Sequence, residues 1–193
     1  MIEQLIKLVN DSIKANALVN NYDANFYELT ELVPIEDNDT ITMQPNVVNE
    51  FGECIKIALD NTVGLQVYHR LNDKTPIYKS QQYGESNKEI TDNYGLSMFV
   101  VGNRIKLKQD SSTLSQFVTG AMPDNFKLEG RSVANLIQNR IDYNSNQIIN
   151  TEFADYTGMP DLFIFRVDYN IRHTYRRKCL DVCEQVCKNY SSN

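Results

Sequence analysis

Residues Leu162 to Arg176 alternate strictly between two faces. Phe163, Phe165, Val167, Tyr169, Ile171, His173 and Tyr175 fall on one face. Leu162, Ile164, Arg166, Asp168, Asn170, Arg172, Thr174 and Arg176 fall on the other. A period of two over this length is the mark of a β-strand, because successive side chains of an extended chain point to opposite sides of a sheet. Ordinary strands run about 5–6 residues, so this one is expected to be the longest in the protein and to reach beyond its own core. Its polar half has two readings: a solvated face of an antiparallel sheet, or a subunit interface whose paired charges fix register. On the second reading Arg166, Asp168, Asn170, Arg172 and Arg176 are the interface residues.

The rest of the chain is expected to supply an α+β fold, a mostly antiparallel sheet with an N-terminal helical pair and a C-terminal helix after the long strand. Leu5, Leu8, Val9, Ser12, Ile13, Ala15, Asn16 and Val19 give a helical stripe over Ile2–Val19. A loop from Val33 leads to a short strand at Thr40–Met43. Pro45 suits the first turn of a second helix, with Val47, Val48, Phe51, Cys54, Ile55, Ala58 and Leu59 as its stripe. Val63, Leu65, Val67 and His69 then alternate as a strand, and residues 72–93 are polar and turn-rich, with a short strand at Thr75–Lys79. Gly102-Asn103 suits a type II′ hairpin turn within Tyr94–Leu107. Thr113–Thr119 reads as a strand, and Ser132 caps a short helix through Val133, Leu136, Ile137 and Ile141. Thr157-Gly158-Met159-Pro160 is a turn, and Arg177–Tyr190 a closing helix. At 193 residues the chain fits one domain, mainly helical over 1–60, mainly β over 61–177, and closed by a helix at 178–190.

Composition bounds the partners. The net charge is −6, which opposes gripping nucleic acid, since phosphate binding needs clustered cations. No apolar run approaches the roughly 18–20 residues of a membrane span, and the charged N-terminus is unlike a secretory signal. A soluble protein used without export is expected.

Cys179, Cys183 and Cys187 form the one local group of soft ligands. On a straight helix the outer two stand about 12 Å apart, too far to close on one ion. They read as small hydrophobes on a packed face, with neither metal nor mutual disulfide. His69 and His173 lie on or beside apolar strand faces, with no nucleophile or orienting carboxylate supplied by their neighbours in sequence. Phosphate-cradling, nucleophile-elbow, zinc-protease and calcium-loop motifs are absent. The sequence therefore assigns no catalytic residue, no cofactor site and no metal site.

The run Asp161-Leu-Phe-Ile-Phe-Arg-Val-Asp-Tyr-Asn-Ile-Arg-His-Thr-Tyr175, in an acidic chain with this order of elements, resembles the neck, ring and tail-terminator proteins of tailed bacteriophages. The abundance of asparagine is similar to that of crAss-like phage virion proteins. The likeness covers mainly residues 94–190 and carries over no catalytic residue. The Cys179/Cys183/Cys187 row departs from it. It implies a structural protein in homo-oligomeric rings of six or twelve copies, touching portal, neck or tail proteins around passing DNA, in a virion assembled in the host cytoplasm. Two other classes stay open: a small cytoplasmic binding or immunity-type module, and an enzyme with an unfamiliar site near His69, His173 and a cysteine.

Overall fold

The computed structural model describes residues 2–15, 23–37, 40–48, 53–78, 89–127, 133–144, 147–148 and 160–176. Their elements are α1 (Ile2–Lys14), β1 (Ala24–Asp37), β2 (Thr40–Val48), β3 (Cys54–Lys56), β4 (Leu65–Tyr78), β5 (Glu89–Asn103), α2 (Arg104–Leu107), α3 (Ser111–Ala121), β6 (Asn125–Lys127), β7 (Val133–Asp142) and β8 (Leu162–Arg176). The strands join in one mixed, mostly antiparallel eight-stranded sheet in the order β3-β2-β1-β4-β5-β8-β7-β6. Its one parallel pairing is β1 with β4.

The expected long strand is present as β8, fifteen residues from Leu162 to Arg176. β5 matches it at fifteen. The two pair antiparallel from Glu89↔Arg176 to Asn103↔Leu162 without a register shift, while β7 pairs along β8's other edge. Pairing on both edges accounts for the length of β8 within this one chain.

The face carrying Phe163, Phe165, Val167, Tyr169 and Ile171 is the main core, shared with Leu65, Val67, Leu96, Met98 and Val100 and closed by α1 and α3. On the opposite face Leu162 and Ile164 join Ile57, Tyr68, Phe99, Val101 and Ile148 in a second, smaller cluster. α1 buries Leu5, Ile6, Val9, Asn10 and Ile13, a stripe rotated from the expected one, with Leu8 exposed. Lys7 and Asp11 pair at 2.8 Å on its solvent side.

Several expectations are corrected. The N-terminal part is mainly β, because the second helix is instead β2 and β3, paired through Val47↔Ile55 and Val48↔Cys54. Pro45 is tolerated where β2 lies beside β1 alone, its register partner being Leu32, and its carbonyl accepts from Ile57 N at 2.9 Å. Cys54, expected on an apolar stripe, is exposed. Val33–Asp37 is strand, not loop. The short strand expected at Thr75–Lys79 is present over Thr75–Tyr78 as the end of β4, while 72–74 and 89–93, expected as turn-rich, continue β4 and β5, and 79–88 lie outside the described residues.

No hairpin turns at Gly102-Asn103. The Asn103 side chain accepts from Ile105 N and Lys106 N and caps α2, so the chain leaves the sheet as a helical turn. Asp110 caps α3 in the same way through Thr113 N. The expected strand at Thr113–Thr119 is thus helical, burying Leu114 and Val118 one turn apart. The expected helix at 132–141 is β7. A bulge between Gln138 and Arg140 shifts its alternation by one residue, so Leu136 and Ile141, five residues apart, both face the main core and the simple alternation of a strand is broken. The closing helix, Tyr175's side chain and the three-cysteine row lie outside the described residues.

Gly102 lies where β5 passes under the Phe163 ring. A Cβ there would stand well inside contact distance of that ring and touch Leu114, whereas one at Gly120 of α3 would meet nothing within 4 Å. Gly102→Ala is therefore expected to destabilise by about 1–3 kcal/mol through overpacking. Gly120→Ala is expected to stabilise by up to about 1 kcal/mol through helix propensity. Denaturant midpoints at unchanged m-value check the two opposite signs.

Candidate interaction face and the buried histidines

His69 sits on the core face of β4, fully buried. Its Nε2 lies 2.8 Å from Asn10 Oδ1 and its Nδ1 2.8 Å from Tyr169 Oη. Asn10 Nδ2 donates to Tyr27 O at 3.0 Å, which leaves Oδ1 as acceptor. The network therefore assigns the proton to Nε2 and makes Nδ1 the acceptor of the Tyr169 hydroxyl. Thr30 Oγ1 adds a 2.8 Å bond to His69 O. Burial pushes the imidazole down from 6.5 to about 3 and pushes the Tyr169 phenol above its usual range. Both ring nitrogens are engaged away from solvent, so His69 ties α1 and β1 to the sheet centre and offers no lone pair to a substrate. The rotation of α1 toward Asn10 follows from this contact.

His173 is also buried, across the β5–β8 ladder from Asp92. Burial lowers its pKa, opposed by the Asp92 charge. Tyr94 Oη donates to Asp92 Oδ2 at 3.2 Å. Both histidines are packed residues of the main core side, and the structure does not bring them together with a described cysteine. Among the described residues no three His, Cys, Asp or Glu side chains form a group able to hold a metal ion.

The opposite face is divided. Its apolar half holds the second cluster, where Tyr68 and Phe99 stack at 4.8 Å. Arg70 lays its guanidinium 4.9 Å from the Phe99 ring, and beyond it the face turns polar. Ser97 Oγ donates to Asp168 Oδ1 at 2.6 Å and accepts from Asn72 Nδ2 at 2.8 Å. Arg166 places Nε 3.1 Å from Asp168 Oδ1 and Nη2 3.5 Å from Asp142 Oδ2. Arg140 meets the same Asp142 oxygen at 3.5 Å. The Arg166 Nε–H is not aimed along its short contact, and it is buried without a hydrogen-bond partner among the described residues.

Of the expected interface residues, Arg166 and Asp168 are half-buried members of this network. Asn170 is half-buried beside them and Arg172 is exposed. Arg176 ends the strand opposite Glu89, with its side chain outside the described residues. Asn170 pairs with Ile137, and Arg172 with Asn135 of β7 and Asn93 of β5. The Asn93 Oδ1 is buried without a partner among the described residues. Ile137 is 39% exposed, and the Arg140 side chain 67%. An apolar spot thus lies among basic residues, two of them exposed, on strands that are rigidly paired behind it.

Sequence reasoning missed Asp142, Arg140 and Ile137 because the bulge disguised β7 as a helix. It missed Ser97, Asn72 and Arg70 because their role depends on strand neighbours.

No protein-family model matches this sequence, and a search of curated proteins likewise finds no match.

The buried network has a pH signature. A histidine with a folded pKa below its unfolded value binds its proton more readily when unfolded. Its stabilising contribution is full above about 6.5 and is lost progressively as pH falls toward about 3. The slope reaches about 1.4 kcal/mol per pH unit, and His173 adds in the same direction. His69→Gln is expected to be less stable at neutral pH yet to lose less stability between pH 7 and 5. Chemical denaturation at a series of pH values checks this.

Proposed function

We propose that this chain is a structural virion protein, an α+β domain that assembles into a homo-oligomeric ring in the neck or tail of a tailed phage and joins portal to tail around the DNA channel. The observation that supports this reading best is the polar half-face of the sheet. Arg140, Ile137 and Arg172 are presented outward on β7 and β8, backed by an ion network that spends Asp168 and Asp142 on Arg166. A charge-patterned surface on a stiff sheet suits a repeated protein seam. The net charge of −6 suits a channel wall that DNA must pass without sticking, since it gives the phosphate backbone no counterion-release affinity. DNA is then a passing cargo whose sequence is not read. The burial of His69 and His173 accords with a structural role. Among the described residues no helix is long and apolar enough to cross a membrane.

Arg172→Glu tests the seam. Arg172 has no ion-pair partner among the described residues, so its reversal is expected to leave the thermal midpoint nearly unchanged. An exposed charge pair contributes only about 0.2–1 kcal/mol, but a ring repeats the loss at every seam. Wild-type protein is expected to sediment as a closed oligomer and to show rings under negative stain, with Arg172→Glu shifted toward monomer. A wild-type chain that stays monomeric at high concentration would contradict the reading.

A further inference from the structure

Both ends of the sheet are notched. β3 covers the outer edge of β2 only from Asn46 to Val48, so among the described residues no strand lies beyond Thr40–Gln44. β6 covers the outer edge of β7 only from Val133 to Asn135, so none lies beyond Ile137–Asp142 either. An open strand edge is a template for another strand's backbone.

The two notches stand at complementary heights. Ile55 of β3 pairs with Val47, and Val47 with Thr30. Thr30 pairs with Arg70, and Arg70 with Ser97. Ser97 pairs with Asp168, which pairs with Arg140 of β7. One transverse row thus runs from β3 to the open part of β7. Asn125 of β6 reaches Asn93 through Asn135 and Arg172, which puts it four rows away, since Asn93 precedes Ser97 by four residues. Met43, four residues before Val47, occupies that same row in the open part of β2. β2 and β7 run in the same direction, with four antiparallel steps and one parallel step between them. β3 and β6 are antiparallel to both.

We infer that the partner of both edges is a second copy of this chain: β3 of one copy fills the β7 notch of its neighbour, while the neighbour's β6 fills the β2 notch of the first. With the rows continuous from copy to copy, both new pairings are antiparallel. The two short strands then meet end to end without overlap. Ile57, whose N–H donates to Pro45 O, takes the row after Lys56, and Asp124, whose carbonyl accepts from Leu136 N, takes the row before Asn125. Bonding direction alternates along antiparallel strands, so these two bonds turn the N–H groups of Cys54, Lys56 and Asn125 outward, toward the neighbour. Side chains agree. Among the described strand residues the exposed large hydrophobics are Met43, Ile55 and Ile137. The row count puts all three on one face. Ile55, 47% exposed, arrives beside the neighbour's Arg140 and diagonal to its Ile137, within side-chain reach. The contact rests on the ring reading and supplies its seam. Two different edges meet, so it is heterologous and closes a ring when the rotation fits.

Cross-linking tests this in the full-length chain. Ile55→Cys and Arg140→Cys are combined in one chain, both positions being exposed. Within a copy they lie at opposite ends of the sheet, so a disulfide between them joins two copies. Across the proposed edge they form a non-hydrogen-bonded pair with Cα atoms about 4.5 Å apart, within disulfide reach. Mild oxidation is expected to give a ladder of covalent multimers on a non-reducing gel, with each single variant matching wild type. Cys54→Pro removes one outward N–H at the first position of β3, where proline is tolerated. It is expected to weaken self-association roughly ten-fold by sedimentation velocity with an unchanged circular dichroism spectrum. A wild type that forms closed oligomers while the double variant gives no ladder overturns the edge contact and leaves the ring reading standing. Cys54→Pro associating as tightly as wild type also overturns the edge contact. A monomeric wild type with no ladder from the double variant overturns the ring reading, and the edge contact with it.

Discussion

The uninterrupted ladder between β5 and β8 carries the rest of the structure. Each backbone register position from Glu89↔Arg176 to Asn103↔Leu162 is matched, so the side chains of both strands are sorted onto two faces with no ambiguity. A slip of one residue would turn Phe163, Phe165, Val167 and Tyr169 out of the main core and put Arg166 and Asp168 into it. That penalty pins the register. Everything else hangs on it: Tyr169 is placed to donate to His69, His69 to hold Asn10, and Asn10 to set the rotation of α1. Gly102 lets the same ladder pass beneath Phe163.

The two faces of this spine have different fates. One is closed by α1 and α3 over a continuous apolar core. The other is apolar only as far as Phe99, where the Arg70 guanidinium caps the ring. Past that line, carboxylates and guanidiniums engage one another at partial exposure. Such pairs contribute little to the stability of a lone chain. Their value lies in holding Arg166, Asp168 and Asp142 still beside the outward Ile137, Arg140 and Arg172. The fold thus separates the face that makes it stable from the face proposed to make it assemble.

The strand β8 was legible because it is central: both sides meet buried neighbours, and its alternation runs unbroken. The first helix was legible for the same reason, though its exact face was not, since Asn10 is buried for a hydrogen bond that no hydrophobic stripe reveals. Reading failed where two local rules competed. Gly102-Asn103 fits a tight turn, yet Asn103 is also a good helix cap. The residues of β7 show three-four spacing, and the bulge breaks the alternation that would have marked them as a strand. Pro45 fits a helix start, yet is harmless on a strand without full pairing. The interface residues of β8 were found from one strand, but their partners on β7, β5 and β4 needed the sheet order.

The central claim is that the β5–β8 ladder is the rigid spine on which both faces of the sheet are set. Amide hydrogen exchange along the sheet tests this most directly. The expected result is slow exchange through the middle of β5 and β8, which are paired on both edges, and faster exchange in the short edge strand β3. Exchange of β8 as fast as that of β3 would contradict the account.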